Sequence, residues 1–243
     1  MNRVILIALG VGGATFFGGA MGLCFRRISK IATDCVMSFA AGVMLAAAIL
    51  GLILPSVESG GRYAVWWSVL GIFVGGVCVD LLDRLVRRIG FYEKTRLDAE
   101  SLGVLLFVVA IAMHNLPEGI AAGVGSGEER GALMIALAIA MQNIPEGLIV
   151  TVAMISTGAG RIKAFIISAL TGVIEIFATF LGAAAVGISA GMLPILLAIA
   201  GGTMLYVICR EMIPSVNSDP EDSRTTYFLL LGFSFMLIVN AII

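Results

Sequence analysis

The sequence predicts an all-α, polytopic membrane protein with eight transmembrane helices. Its 243 residues are 60% hydrophobic and only 13% charged, and the mean hydropathy is +1.07, values far outside the range of soluble domains. Eight apolar segments are each long enough to cross a bilayer, which takes about 20 residues per helix. Because the polar segments between them are short, we expect a single transmembrane domain, residues 1–243, without a soluble domain.

The first span is glycine-rich and follows Arg3. It lacks a convincing cleavage site, so we interpret it as a retained helix rather than a signal peptide. Its glycines are interpreted as positions where helices pack closely in lipid. The eight predicted spans are residues 4–25, 33–54, 64–85, 101–124, 132–155, 162–186, 192–213 and 227–243.

The second and third spans carry charges only near their ends. Glu58 follows the second span and is interpreted as a solvated loop charge. Asp83 and Arg87 lie four residues apart at the end of the third span, which predicts a surface ion pair. Trp66 and Trp67 at its beginning are typical of an anchor at the membrane interface.

Basic residues predict how the bundle is oriented. When alternate loops are assigned to one side, twelve of the fifteen Lys and Arg residues fall together, and that side is expected to be cytoplasmic. Both termini are therefore expected outside. The twelve are Arg26, Arg27, Lys30, Arg84, Arg87, Arg88, Lys94, Arg96, Arg161, Lys163, Arg210 and Arg224, against Arg3, Arg62 and Arg130.

An internal repeat in the fourth and fifth spans carries most of the polar chemistry. AIAMHNLPEGI in the fourth span returns as AIAMQNIPEGL in the fifth. Since positions i and i+4 share a helix face, His114 lies one turn before Glu118, and Gln142 lies one turn before Glu146. Each helix can therefore direct two side chains toward one point.

Each copy of the repeat also contains a proline, Pro117 or Pro145. Proline has no N–H to bond the carbonyl four residues earlier, so the carbonyls of Met113 and Met141 become available as oxygen ligands or water anchors. Kinks beside the two glutamates are expected for the same reason.

A third acid, Glu175, lies near the middle of the sixth span. A charged side chain at the bilayer centre costs roughly 2.5–3.5 kcal/mol on insertion scales, so these acids are expected to face a cation rather than lipid. Sites rich in oxygen ligands with one or two nitrogens suit zinc, iron, manganese or cadmium. The candidate ligands at this depth are His114, Asn115, Glu118, Gln142, Asn143, Glu146 and Glu175.

The H-N-x-P-E-G motif, its Q-N-x-P-E-G partner and eight spans with both ends outside resemble the ZIP (Zrt/Irt-like) family of divalent-metal transporters. The resemblance covers nearly the whole chain. It implies a ZIP-like bundle in which helices 1, 4, 5 and 6 form a transport unit that moves against a scaffold unit of helices 2, 3, 7 and 8. It further implies a homodimer in the plasma or inner membrane that moves zinc, cadmium, iron or manganese into the cytoplasm by an elevator-type mechanism.

The resemblance also implies how the ligands divide. A first metal position would comprise His114, Glu118, Gln142 and Glu146. A second would comprise the remaining three ligands, with Glu118 and Glu146 bridging two ions per chain. One ion completed by water is the alternative. The three ligands of the second position are Asn115, Asn143 and Glu175.

Three features depart from the family pattern. Many members have histidine where this chain has Gln142, and an amide oxygen binds a borderline ion less firmly than imidazole does. His114 is the only histidine, so the chain lacks the histidine-rich loop found in many members. In the seventh span, Arg210 takes the place of a histidine beside Glu211, which leaves Glu211 as the predicted ligand on the exit route.

Other interpretations are open at this point. His114 could be a packing residue, Asn115 and Asn143 could bridge helices by hydrogen bonds, and Glu175 could be protonated. The same site could serve a channel or an intramembrane metallohydrolase, although the H-E-x-x-H pattern is absent and no enzyme is predicted. No basic run or aromatic platform suggests nucleic-acid binding.

Overall fold

In the computed structural model the described residues form helices joined by short turns and contain no strand, which confirms the all-α prediction. The structure describes residues 2–59, 63–88, 99–127, 132–156, 158–188, 192–216 and 223–242, without the side chains of 59, 86–88, 99–107, 110 and 188. The predicted loop segments at 89–98 and 128–131 lie outside these ranges, and so does the side chain of Arg87 in the predicted ion pair.

Within the described ranges, eight continuous helical segments coincide with the eight predicted spans. Seven of them are long and apolar enough to cross a membrane on the residues described, so the chain is a multi-pass membrane protein. The count of eight crossings and the outward position of the termini stay predictions. The segments are α1 (Asn2–Gly22), α2 (Lys30–Ala46, then a π-helical stretch Ala47–Ile53 and Leu54–Ser59), α3 (Ala64–Arg88), α4 (Ala99–Gly125), α5 (Ala132–Ser156), α6 (Arg161–Ile188), α7 (Leu193–Val207, then a π-helical stretch Ile208–Met212 and Ile213–Val216) and α8 (Arg224–Ile242).

Helix α2 begins three residues before the predicted span because its first turn is polar and capped. The Ser29 hydroxyl accepts a hydrogen bond from the Ala32 amide at 3.2 Å, as expected of an N-cap residue. Lys30 also pairs with Asp34 one turn on, at 3.0 Å. Hydropathy does not record this capping contact and therefore places the boundary too late.

The helices pack in two sets. Helix α1 packs against α5 and α6, while α4 packs against α6 and α5. Helix α2 packs along α8, and α3 packs along α7, which also contacts the π-helical part of α2. The main contacts between the sets are those of α2 with α5 and of α4 with α7.

Glycine permits the closest of these approaches. A Cβ atom added to Gly18 of α1 would collide with the carbonyl oxygen of Ile144 in α5, and one added to Gly147 would collide with that of Thr15. Removing side chains at such points brings helix backbones into direct contact. In the α5–α6 turn, Gly158 has φ = 82°, a left-handed conformation that favours glycine.

The predicted interfacial residues lie at the surface. The side chains of Trp66 and Trp67 are exposed, consistent with the predicted anchor at the beginning of α3. Toward the other end of α3, Asp80 accepts hydrogen bonds from Arg84 Nε at 2.8 Å and from the Tyr206 hydroxyl of α7 at 2.9 Å. This contact ties α3 to α7.

Candidate metal centre

Seven of the eight predicted ligands are buried where α4, α5 and α6 meet. The imidazole of His114 is the most accessible of them, and the residue is only 7% exposed. Pro117 and Pro145 lie inside continuous helices, so the two copies of the repeat keep their i, i+4 spacing. The buried set is His114, Asn115, Glu118, Gln142, Asn143, Glu146 and Glu175.

The three acids are close enough for their charges to interact. Glu118 interacts electrostatically with Glu146 and Glu175, and Glu146 also interacts with His114. Three carboxylates held together in an apolar bundle repel one another unless a proton or a cation is shared among them. The acids and His114, which the sequence singles out as candidate ligands, therefore lie close together in the fold.

Helix α1 contributes to the site, which sequence reasoning missed. Thr15 donates a hydrogen bond to Glu175 Oε2 at 3.2 Å, and Asn143 Nδ2 donates to Glu175 Oε1 at 2.6 Å and to the Val11 carbonyl at 3.1 Å. Both carboxylate oxygens of Glu175 are thus held from neighbouring helices. The available signal was weak: Thr15 is the single hydroxyl residue of a glycine-rich α1.

Most of the remaining polar atoms of the cluster have no hydrogen-bond partner in the part of the chain that the structure describes. Of the ten buried side-chain nitrogen and oxygen atoms that lack one among the described residues, eight belong to the predicted ligands. Such atoms are rare in folded proteins because each costs roughly 1–3 kcal/mol of desolvation. The residues concerned are Asn115, Glu118, Gln142, Asn143 and Glu146.

Glu211, the predicted ligand on the exit route, is in direct contact with the buried cluster. Its Oε2 atom is 2.5 Å from His114 Nε2, and its side chain is 27% exposed. Glu211 belongs to the π-helical stretch of α7, a distortion that is frequent at functional sites because it changes which side chains face a neighbouring helix. The contact joins α7 to α4 at the edge of the buried set.

Within the described residues, no three His, Cys, Asp or Glu side chains are arranged to hold a metal ion by themselves. Two features of the cluster account for this. Three of its members, Asn115, Gln142 and Asn143, are amides, and His114 is held by Glu211. A cation here would need amide oxygens as well as carboxylates, and these are hard donors that suit divalent ions.

Comparisons with known proteins identify the kind of molecule that contains this cluster. A family described as "ZIP Zinc transporter" matches residues 92–240, which include α4 to α7. The chain is also similar over nearly its full length to a protein named zinc transporter ZIPB from Bordetella bronchiseptica, with 33% identity covering 98% of this chain and 82% of the relative. The chain belongs to the ZIP family.

Other relatives support the same assignment of this ZIP chain. Zinc transporter GufA of Myxococcus xanthus is 31% identical, covering 99% of this chain and 98% of the relative. Zinc transporter ZupT of Chlorobium luteolum is also 31% identical, covering 97% and 96%. The family is one of transporters rather than enzymes, which confirms both the resemblance and the prediction that the ZIP chain is not an enzyme.

Proposed function

We propose that the chain carries divalent transition-metal ions across the plasma or inner membrane into the cytoplasm, with zinc as the first candidate and cadmium, iron and manganese as alternatives. The names of its relatives support zinc. The observation that carries the proposal is the group of eight unpartnered polar atoms beside interacting buried carboxylates. A divalent ion would satisfy several of these atoms at once and offset the charge that burial makes costly.

We propose further that two ions bind per chain. His114, Glu118, Gln142 and Glu146 form the first position, and the second lies toward α1. The hydrogen bonds to both carboxylate oxygens of Glu175 support the second position. Hydrogen bonds to a metal-binding side chain fix its orientation toward the ion. The residues of the second position are Asn115, Asn143 and Glu175, with Glu118 and Glu146 shared.

The proposed mechanism is an elevator in which α1, α4, α5 and α6 move as one unit against α2, α3, α7 and α8. Contacts between glycines and the backbones of neighbouring helices support this division, since they fall within each proposed unit. Across the boundary, the described glycines meet side chains instead, as Gly51 of α2 does with Ile135 of α5. The backbone contacts involve Gly12, Gly18, Gly22, Gly119, Gly123, Gly147, Gly172 and Gly182 in the first unit, and Gly42, Gly71, Gly75, Gly202 and Gly232 in the second.

A homodimer is also proposed, as the family resemblance implies. Light scattering on the purified protein, with the detergent contribution subtracted, would then give twice the chain mass of 25.4 kDa. A mass of one chain at micromolar concentration would contradict this part of the proposal.

The function is tested by uptake into proteoliposomes that contain the purified protein. We expect zinc uptake to saturate with concentration and to be inhibited by cadmium, iron or manganese to the degree that each ion fits the site. Linear dependence on the gradient would favour a channel over a carrier. Uptake no faster than in protein-free vesicles for all four ions would contradict the proposal.

Replacing Thr15 by Val should weaken metal binding without unfolding the protein. The change removes the hydroxyl that donates to Glu175 Oε2. Loss of a hydrogen bond to a metal-binding side chain typically lowers metal affinity by roughly 10–100-fold. Zinc binding measured by titration calorimetry should fall accordingly. Thr179→Val is the matched control, because the Thr179 hydroxyl donates to the backbone carbonyl of Glu175 and not to its carboxylate. Equal effects of both substitutions would contradict the role of Thr15.

Replacing Glu211 by Ala should slow transport more than it weakens binding. Glu211 reaches His114 from α7, so in the proposed mechanism an ion that leaves the first position passes between the two units beside this carboxylate. We expect the maximal uptake rate to fall by about tenfold, equivalent to about 1.4 kcal/mol on the barrier, with zinc affinity nearly unchanged. Glu211→Gln separates charge from packing, because it keeps the size of the side chain. Wild-type rates in both variants would refute the role.

A further inference from the structure

A crevice separates the α3/α7 pair from the α4/α6 pair. Its volume is about 320 Å³, within the roughly 300–1,000 Å³ typical of small-molecule sites. All four helices contribute to its wall, and nearly every contributing side chain is apolar. Representative lining residues are Cys78, Leu82, Pro117, Ile120, Leu181 and Thr203.

The crevice exists because each helix pair is held together more tightly than the two pairs are held to each other. Gly75 brings α3 against the backbone of α7, and Gly182 brings α6 against that of α4. Between the pairs, α4 packs against α7, whereas α3 makes no extensive contact with α4 or α6 in the described part of the chain. On the outer surface, α3 exposes apolar side chains such as Val77 and Leu81.

Water is a poor occupant for this space. The hydroxyl of Thr203 donates to the Ala200 carbonyl of its own helix at 2.7 Å, and no charged or amide side chain lines the crevice. A buried water needs about two to four polar partners, and apolar cavities stay dry. An unfilled crevice would instead forfeit dispersion contacts along its whole wall.

Hydrocarbon is the medium that surrounds this part of the chain. Helices α3, α6 and α7 are long and apolar enough to cross a membrane, and their exposed side chains near the crevice are apolar. We propose that the crevice binds one acyl chain of a membrane phospholipid, inserted between the two helix pairs. This is a defined lipid site, distinct from the exchanging lipids around the outer surface.

The proposed lipid lies against α4, on the face opposite His114 and Glu118. Leu116, Ile120 and Val124 are spaced four apart on the crevice face of α4. His114 and Glu118 are offset from that row by two residues, about 200° around the helix, and face the opposite side. The acyl chain therefore also lies across the boundary between the two proposed units.

The site can be tested by cross-linking at Cys78, a free and exposed cysteine in the crevice wall. The other cysteines are replaced by Cys24→Ser, Cys35→Ala and Cys209→Ser, and Cys78 is labelled with a benzophenone maleimide. Delipidated protein in detergent is then titrated with phospholipid and irradiated, and lipid adducts are measured by intact-protein mass spectrometry. The control label is placed by Phe73→Cys in a Cys78→Ser background; Phe73 is exposed and lies five residues before Cys78, about 140° around the same helix.

We expect the adduct at Cys78 to saturate at a single phospholipid per chain, while the adduct at the control position rises linearly with lipid. Ala185→Phe, and the milder Ala185→Leu, should remove the saturating adduct by filling the crevice. Val77→Phe, on the lipid-facing side, should leave it intact, and gel filtration confirms that each variant is folded. Linear titration at both positions, or saturation that persists in folded filling variants, would overturn the proposal. The cross-linking assay contains no metal ion, so its result does not depend on the proposed transport function.

Discussion

Glu146→Ala is expected to abolish metal uptake while leaving the protein folded in the membrane. Glu146 is buried beside the charges of Glu175 and His114, and in the proposed site it bridges both ions. Loss of a hydrogen bond to a metal ligand already lowers metal affinity by roughly 10–100-fold. Loss of the bridging ligand itself should therefore reduce uptake by at least about 100-fold. Zinc uptake in proteoliposomes, normalised to the amount of protein inserted, measures this effect.

Glu58→Ala is the matched control for this experiment. Glu58 is an exposed acid at the end of α2, so its removal changes the net charge equally without touching the cluster. We expect uptake close to that of the wild type. Normal uptake by the Glu146→Ala protein would refute the assignment of the site, and equal losses in both variants would show that net charge rather than position matters.

The second large effect is expected from a single methyl group in α1. Gly18→Ala places a Cβ atom against the carbonyl oxygen of Ile144 in α5, next to Pro145 and Glu146, so α1 and α5 must separate. Overpacking of this kind typically costs about 1–3 kcal/mol. We expect a lower melting temperature in detergent together with reduced uptake, because the separation also displaces Glu146.

Gly13→Ala in the same helix provides the comparison. Apart from the backbone of its own helix, a Cβ atom at Gly13 would have no atom within 4 Å, and alanine favours helix over glycine by about 1 kcal/mol. The Gly13→Ala protein should therefore be as stable as the wild type or slightly more stable. A Gly18→Ala protein that melts and transports like the Gly13→Ala protein would contradict the close packing of α1 on α5.

The positions of the helices could be predicted from the sequence because lipid imposes a simple requirement on length and polarity. The ends of the helices were predicted less accurately, because Ser29 and Lys30 extend α2 by a capping contact that hydropathy does not record. The π-helical stretches in α2 and α7 had no signal in the pattern of apolar residues.

The polar cluster was predictable for a different reason. A repeated i, i+4 pair inside apolar sequence is costly in lipid, so its burial at a common point followed from the residues themselves. The contribution of Thr15 could not be found in this way, because a lone hydroxyl in a membrane helix usually bonds its own backbone. The contact of Glu211 with His114 depends on the π-helical stretch of α7, and the crevice beside α3 depends on how helix pairs assemble.

The central claim is that acids from α4, α5 and α6 are tolerated in the membrane because they jointly hold a cation in transit. Crystals grown with cadmium test this most directly, since anomalous scattering locates the ion without reference to the protein atoms. We predict one peak beside Glu118 and Glu146 and a second toward Glu175, both lost in the Glu146→Ala protein. Peaks confined to surface carboxylates, in a protein that still transports, would contradict it.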